Sequence, residues 1–247
     1  MQETKEILTA YKEVRKNADV SHANTLSYKI GVLLSSVKRR GVAATLKKIF
    51  LYLSFYLRGV DLSSENLTDL TRVGEHKDRG TAYLQNSYEV IDSVIKEVEK
   101  LDKDIKKGVF IDYGSGKGLP LIIAQKHGFK KVIGVEFAKE LCEVSIENMK
   151  KMNIKNYEIL NMDAAEYDPP IDTSFVFLFN PFDEVVMQKV AKKITADKER
   201  YIRDVYVVYL NPTCNFVFVN DKENFQFIKS LIFETGEVCN IFKVKRS

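Results

Sequence analysis

Val109-Phe110-Ile111-Asp112-Tyr113-Gly114-Ser115-Gly116-Lys117-Gly118-Leu119-Pro120 decides the reading of this chain. A short, mainly apolar strand runs into three glycines at alternate positions, and a helix follows. Glycines so placed remove every Cβ from one side of a tight turn, so backbone can approach a ligand closely. A dinucleotide loop (GxGxxG) begun at Gly114 would need its third glycine where Leu119 stands. A phosphate loop would need GxxxxGK followed by Ser or Thr, which is absent. The spacing D-x-G-x-G-x-G suits a closely packed nucleoside and amino-acid group better than a pyrophosphate on a helix dipole. Pro120 sits where a helix start tolerates a missing N–H.

Outward toward the C-terminus, short apolar runs alternate with helical segments. Strands are expected at 109–113, 131–136 (KVIGVE), 157–162 (YEILNM), 174–179 (SFVFLF) and 204–210 (DVYVVYL). The fourth is almost continuously apolar and so reads as buried on both faces. Helices are expected from Leu119 to about His127, over 138–151, over 183–194 and over 222–230. The tail, 231–234 and 237–245 around Gly236, reads as an antiparallel hairpin. Strand–helix alternation implies right-handed crossovers. The fold class is therefore α/β: a doubly wound, mostly parallel seven-stranded sheet with an antiparallel C-terminal hairpin, preceded by an N-terminal helical extension. The domains read as 1–107, the extension or cap, and 108–247, the catalytic part.

Toward the N-terminus the texture is helical, with no Pro before Pro120. In 87–107, Val90/Ile91, Val94/Ile95, Val98 and Leu101 form one apolar stripe, and Gly108 is the expected stop. Residues 61–82 read as a connecting loop. Between Ser21 and Val60 there is no acid and there are seven Lys/Arg: Lys29, Lys38, Arg39, Arg40, Lys47, Lys48 and Arg58. If 36–57 is a helix, Leu46, Ile49, Phe50, Leu53 and Leu57 make its apolar stripe. Such a helix packs on its own protein, or makes weak contact with an anionic membrane surface.

Composition sets the remaining bounds. The chain has 247 residues, 45% apolar and 29% charged, enough to bury a real core. A net charge of +4 gives no strong nucleic-acid signal. Cys142, Cys214 and Cys239 are widely spaced, and His22, His76 and His127 show no ligand spacing, so neither a disulfide framework nor a metal site is expected. The N-terminus is no signal peptide, and the longest apolar stretch, Ile49 to Leu57, is too short to span a bilayer. The chain reads as soluble and cytoplasmic, with a peripheral membrane contact open.

Two further acids stand at expected strand ends. Glu136 lies 24 positions after Asp112, where an acid accepts from ribose hydroxyls. Asp163, in NMDAAEY, ends the third strand and can accept from an adenine amine. With the glycine loop, these residues make the run from 109 to about 182 resemble a class I, seven-stranded methyltransferase that uses S-adenosyl-L-methionine. FIDYGSGKG matches its glycine motif, VEF its ribose acid and MDAAEY its adenine acid; the tail is similar to its closing hairpin. The resemblance implies that Asp112, Gly114, Ser115, Gly116 and Gly118 hold the methionine part. It assigns the ribose to Glu136 and the adenine to Asp163 and Ala164. Residues 59–91 are similar to a segment before the glycine motif in some bacterial methyltransferases. Tyr83, with Gln85 and Ser87, matches positions that cap the methionine carboxylate in some protein-lysine methyltransferases.

Phe179-Asn180-Pro181-Phe182 closes the fourth strand. It resembles the Asn/Asp-Pro-Pro-Tyr/Phe motif of methyltransferases acting on nitrogen, with one Pro rather than two. The resemblance gives Asn180, Pro181 and Phe182 the catalytic positions, where oxygens accept from the target amine and an aromatic packs on its plane. The plain alternative is a strand-ending turn. Asn211-Pro212 ends the fifth strand and could line the same cleft. The acceptor reads as an amine nitrogen on a protein or small molecule. Methylation of an oxygen on a sugar, polysaccharide or lipid headgroup is the alternative, and a non-catalytic cofactor-binding module is the rival from another class.

Overall fold

A computed structural model of the protein describes residues 41–63, 70–76 and 88–246. The chain divides into two compact units, Met1–Val60 and Asp61–Ser247. In the first, helix α1 (Val42–Leu57) starts beside Gly41, whose carbonyl accepts from the Thr45 hydroxyl at 2.9 Å. It ends where Gly59 turns at φ +67° and Val60 N–H returns to the Phe55 carbonyl. Among the described residues no helix is long and apolar enough to cross a membrane.

The second unit is built on one seven-stranded sheet in the order β3-β2-β1-β4-β5-β7-β6. Its strands are β1 (Val109–Tyr113), β2 (Lys131–Glu136), β3 (Tyr157–Asn161), β4 (Thr173–Phe179), β5 (Tyr206–Leu210), β6 (Phe225–Ile232) and β7 (Val238–Val244). β1 to β5 pair in parallel, and β7 runs antiparallel to both β5 and β6. The chain begins at the middle of the sheet, winds out through β2 and β3, then returns to lay β4 on the other side of β1. That reversal opens a crevice between the carboxyl ends of β1 and β4.

Helices cover both faces. They are α2 (Tyr88–Leu101), α3 (Leu119–His127), α4 (Lys139–Lys151), α5 (Glu184–Ala196) and the short α6 (Phe216–Asn220). β4 is buried on both faces from Thr173 through Leu178, as its unbroken apolar run demands. Val176, Val207 and Ile133 meet Met187, Val190 and Ile194 of α5 in the core.

α2, placed by sequence in the extension, belongs to the second unit and packs on α3. It buries Val90, Ile91, Val94, Ile95 and Val98, and the His127 ring sits between Glu99 (2.8 Å) and Asp92 (2.9 Å). The helix does not run to Gly108. It stops at Leu101, which is exposed, because the Asp102 carboxylate accepts from Asp104 N–H and turns the chain into the 3-10 segment Ile105–Lys107.

The segment expected as a helix over 222–230 is instead most of strand β6. Phe225, Ile228 and Leu231 repeat at helical spacing, but the antiparallel ladder to β7 captures the segment. A register shift between Phe227 and Lys229 absorbs the broken alternation. The hairpin is therefore longer than 231–245, and it turns at Gly236, φ +92°.

Candidate functional site

The glycine loop leaves β1 at the crevice. Gly114, Gly116 and Gly118 all take positive φ, at +76°, +51° and +82°. At Gly114 the need is steric as well: a Cβ there would stand 2.6 Å from Pro181 Cβ, on the loop after β4. The two loops that flank the crevice thus touch where a side chain would part them. Gly114 and Ser115 N–H both reach the Val135 carbonyl, and Gly116 N–H donates to Glu136 Oε2 at 2.8 Å. The buried Ser115 Oγ has no hydrogen-bond partner.

The same loop carries Lys117, whose ammonium is buried. Its Nζ donates to Asp61 Oδ2 at 2.9 Å and to Ser63 Oγ at 2.8 Å. Asn148 of α4 ties this corner together: its Nδ2 donates to the Asp61 and Lys117 carbonyls and its Oδ1 accepts from Asp61 N–H. Burial opposes ionisation of Asp61, but Lys117 and the two Ser63 donors outweigh it and bring the carboxyl down to about 2.

Three acids stand at successive strand ends. Asp112 is buried, and its Oδ2 has no hydrogen-bond partner. Desolvation, then the charge of Glu136, pushes its carboxyl well above the usual range. Glu136 is also buried and raised by desolvation, though N–H donors of Ala138 and Gly116 work against that. Asp163 differs, because its Oδ1 accepts from Ala165 N–H and its Oδ2 from both the N–H (3.0 Å) and the ring Nδ1 (2.7 Å) of His76. Burial works against its ionisation, but these donors prevail and hold it below the usual range.

His76 arrives on a strap, residues 70–76, laid along the carboxyl end of β2. Val73 N–H donates to the Phe137 carbonyl and Lys139 N–H to the Thr71 carbonyl, both at 2.9 Å. Beneath lies a narrow cleft of about 20 Å³. Gly114, Asp163, Ala164 and Phe182 line it, as do Phe137 and Met162, which sequence reading did not single out.

Asn180 ends β4 in the left-handed region, φ +40°, and Asn211 ends β5 likewise at φ +51°. The Thr213 hydroxyl donates to Asn180 Oδ1 and so links the two strand ends. Pro181 is buried against the glycine loop, and Asp183 caps α5 by accepting from Val186 N–H, which fixes Phe182 over the cleft. Asn211 does not line this cleft. Its backbone N–H and its side-chain oxygen both pair with Val238, so it serves the β5–β7 junction. Tyr83, Gln85 and Ser87 lie outside the described residues.

No family model matches the chain. A ribosomal protein L11 methyltransferase of Dictyoglomus thermophilum is 35% identical over 134 residues, 53% of this chain and 40% of that protein. An uncharacterized protein of Methanocaldococcus jannaschii is 30% identical over 130 residues, 48% of this chain and 59% of that one. The chain thus spans between about two and three fifths of the length of these curated relatives. Among solved structures, an RNA methyltransferase from Salinibacter ruber, in complex with S-adenosyl-L-homocysteine, matches with a TM-score of 0.50 at 17% identity, over 66% of this chain and 95% of that one. The fold is that of the class I S-adenosylmethionine-dependent methyltransferases.

Within the class I methyltransferase fold, Gly114, Asp163, Ala164 and Phe182 line one cleft, while Asp112 and Glu136 are buried at the ends of β1 and β2. Two pairings escaped sequence reading: Lys117 with Asp61, and Asp163 with His76. The one available signal was Lys117 itself, since a lysine inside so tight a loop requires a carboxylate from elsewhere.

Proposed function

We propose that the chain transfers a methyl group from S-adenosyl-L-methionine to an amine nitrogen of a macromolecule. The observation that carries the cofactor is Asp112: a buried carboxylate oxygen with no partner, beside a glycine loop packed to van der Waals contact. Such a group is costly unless a cationic or hydrogen-donating ligand completes it, and the cofactor offers both an ammonium and a sulfonium.

When bound, the cofactor supplies a methyl group activated by its sulfonium. Asp112 holds the amino-acid end against the loop, and Glu136 accepts from ribose hydroxyls. Phe137, Met162 and Phe182 wall the nucleoside and exclude water. At the acceptor, Asn180, whose Oδ1 accepts from the Thr213 hydroxyl, is the residue assigned to orient an N–H of the incoming amine. With its N–H groups so engaged, the nitrogen lone pair faces the methyl carbon, and positioning accounts for most of the catalysis. Transfer would exchange the S–CH3 bond for an N–CH3 bond, with the proton of the amine passing to solvent.

His76 supports a nitrogen acceptor over a hydroxyl. It is the histidine at the cleft, and its ring nitrogens are occupied by Asp163 and, through Nε2, by Lys189 at 2.9 Å. That leaves the ring engaged on both sides, so a base for a hydroxyl acceptor would have to be an Asp, Glu or Tyr instead. The relatives named for RNA and for a ribosomal protein favour a macromolecular acceptor over a free metabolite.

The test is Asn180→Ala, followed by mass spectrometry for methyl gain in extracts given labelled cofactor. Transfer is expected to vanish while calorimetric cofactor affinity stays near the parent value. Glu136→Ala is expected to do the reverse first, weakening cofactor binding by about 1–3 kcal/mol. Turnover that survives Asn180→Ala with a modest loss removes the nitrogen role.

A further inference from the structure

Helix α1 presents its apolar side to solvent. Val42, Leu46, Ile49, Phe50, Leu53 and Leu57 fall within an arc of about 120° at 100° per residue, and all six are exposed, Phe50 and Leu57 by 76% and 74%. Tyr56, 80% exposed, borders the arc. Phe55, on the opposite side, is buried, and so is Thr45 at the edge of the arc. A stripe of this size left in water marks a contact surface rather than chance exposure.

Charge identifies the occupant. The stripe lies in the acid-free span from Ser21 to Val60, with its seven Lys/Arg, and positions 47 and 48 fall outside the apolar arc. An RNA would take up the charges and leave the stripe in water. A second copy would bring two basic spans together. A surface with acyl chains beneath anionic headgroups satisfies both features, and Phe and Tyr are suited to that boundary. We propose that α1 lies in the plane of an anionic lipid surface, with this stripe buried among the acyl chains and the basic span against the headgroups.

The experiment is flotation of the full chain with vesicles of phosphatidylglycerol and phosphatidylcholine, beside vesicles of phosphatidylcholine alone. Binding to the anionic vesicles is expected at low salt and is expected to fall as salt rises. Replacing two largely exposed apolar side chains, Phe50→Ser with Leu57→Ser, is expected to weaken it by at least about tenfold. Because neither side chain is in a core, the variant's thermal melt and cofactor affinity should match the parent. Absence of binding to anionic vesicles at low salt overturns the proposal. So does binding indifferent to the double substitution, or a chain that instead dimerises or retains RNA through the stripe while vesicles stay bare.

Discussion

Asp112 is held in the folded state at a cost. Its carboxyl is buried beside Glu136, and one of its oxygens has no donor. In the unfolded chain it ionises in the ordinary range, whereas desolvation makes the folded state keep the proton to higher pH. Across that window the folded state binds more protons, so stability falls as pH rises through it. An amide has no such proton. Asp112→Asn should therefore melt above the parent at neutral pH, with the gap closing toward about pH 4. The same variant should bind S-adenosylmethionine at least about tenfold more weakly, because a charge-assisted contact is gone. Calorimetry of both properties on one protein checks this; a variant that melts lower at neutral pH, or binds as the parent does, contradicts it. The position of Asp112 was legible in sequence because a strand pattern ends on it and a glycine loop begins two residues later. The partners of Lys117 and Asp163 were not, since Asp61 and His76 stand 56 and 87 residues away along the chain. Periodicity carries no record of contacts that distant.

Among the elements, the strap 70–76 shows how a loop without regular structure becomes part of the site. Gly74 sits at φ +92°, and a Cβ there would meet Asp163 Cβ at 2.5 Å. Alanine at this position faces both the left-handed penalty of about 1–2 kcal/mol and a contact with a fixed side chain. Relief comes most easily if the strap lifts locally, because the Asp163 carboxylate is fixed from the other side by Ala165 N–H. Gly74→Ala should therefore speed hydrogen exchange at the Val73 and His76 amides by about tenfold or more while global melting changes little. Unchanged protection at both amides contradicts a strap seated this tightly. Strand β6 shows the opposite limit of sequence reading. Its apolar residues fit a helical repeat locally, and only the antiparallel partner β7, thirteen residues on from Phe225 to Val238, decides for a strand. β4 had no such ambiguity, because a run apolar on both faces has few places to go in a sheet covered on both sides.

At the scale of the molecule, the topology reversal between β1 and β4 is what makes one site from residues spread over 61–213. Among the described residues, every hydrogen bond given at the crevice comes from Asp61 onward, and the prediction is that the chain can be cut there without loss of cofactor binding. Residues 61–247 alone should fold cooperatively, melt within about 4 °C of the full chain, and bind S-adenosylmethionine with similar affinity. A cut at residue 70 should not be tolerated in the same way. It removes Asp61 and Ser63 from the buried Lys117 ammonium and takes one acceptor and one donor from Asn148. Stripping a fully buried charge of its partner costs about 3–5 kcal/mol. Asp61 is 44% exposed, so the loss here should be smaller, on the order of 1–3 kcal/mol. Lys117→Met in the 70–247 chain should restore much of it, because an apolar side chain asks for no carboxylate. Thermal melts of the three proteins decide the matter: equal stability for the cuts at 61 and 70 would show that the Asp61–Lys117 pair does not hold the glycine loop in place.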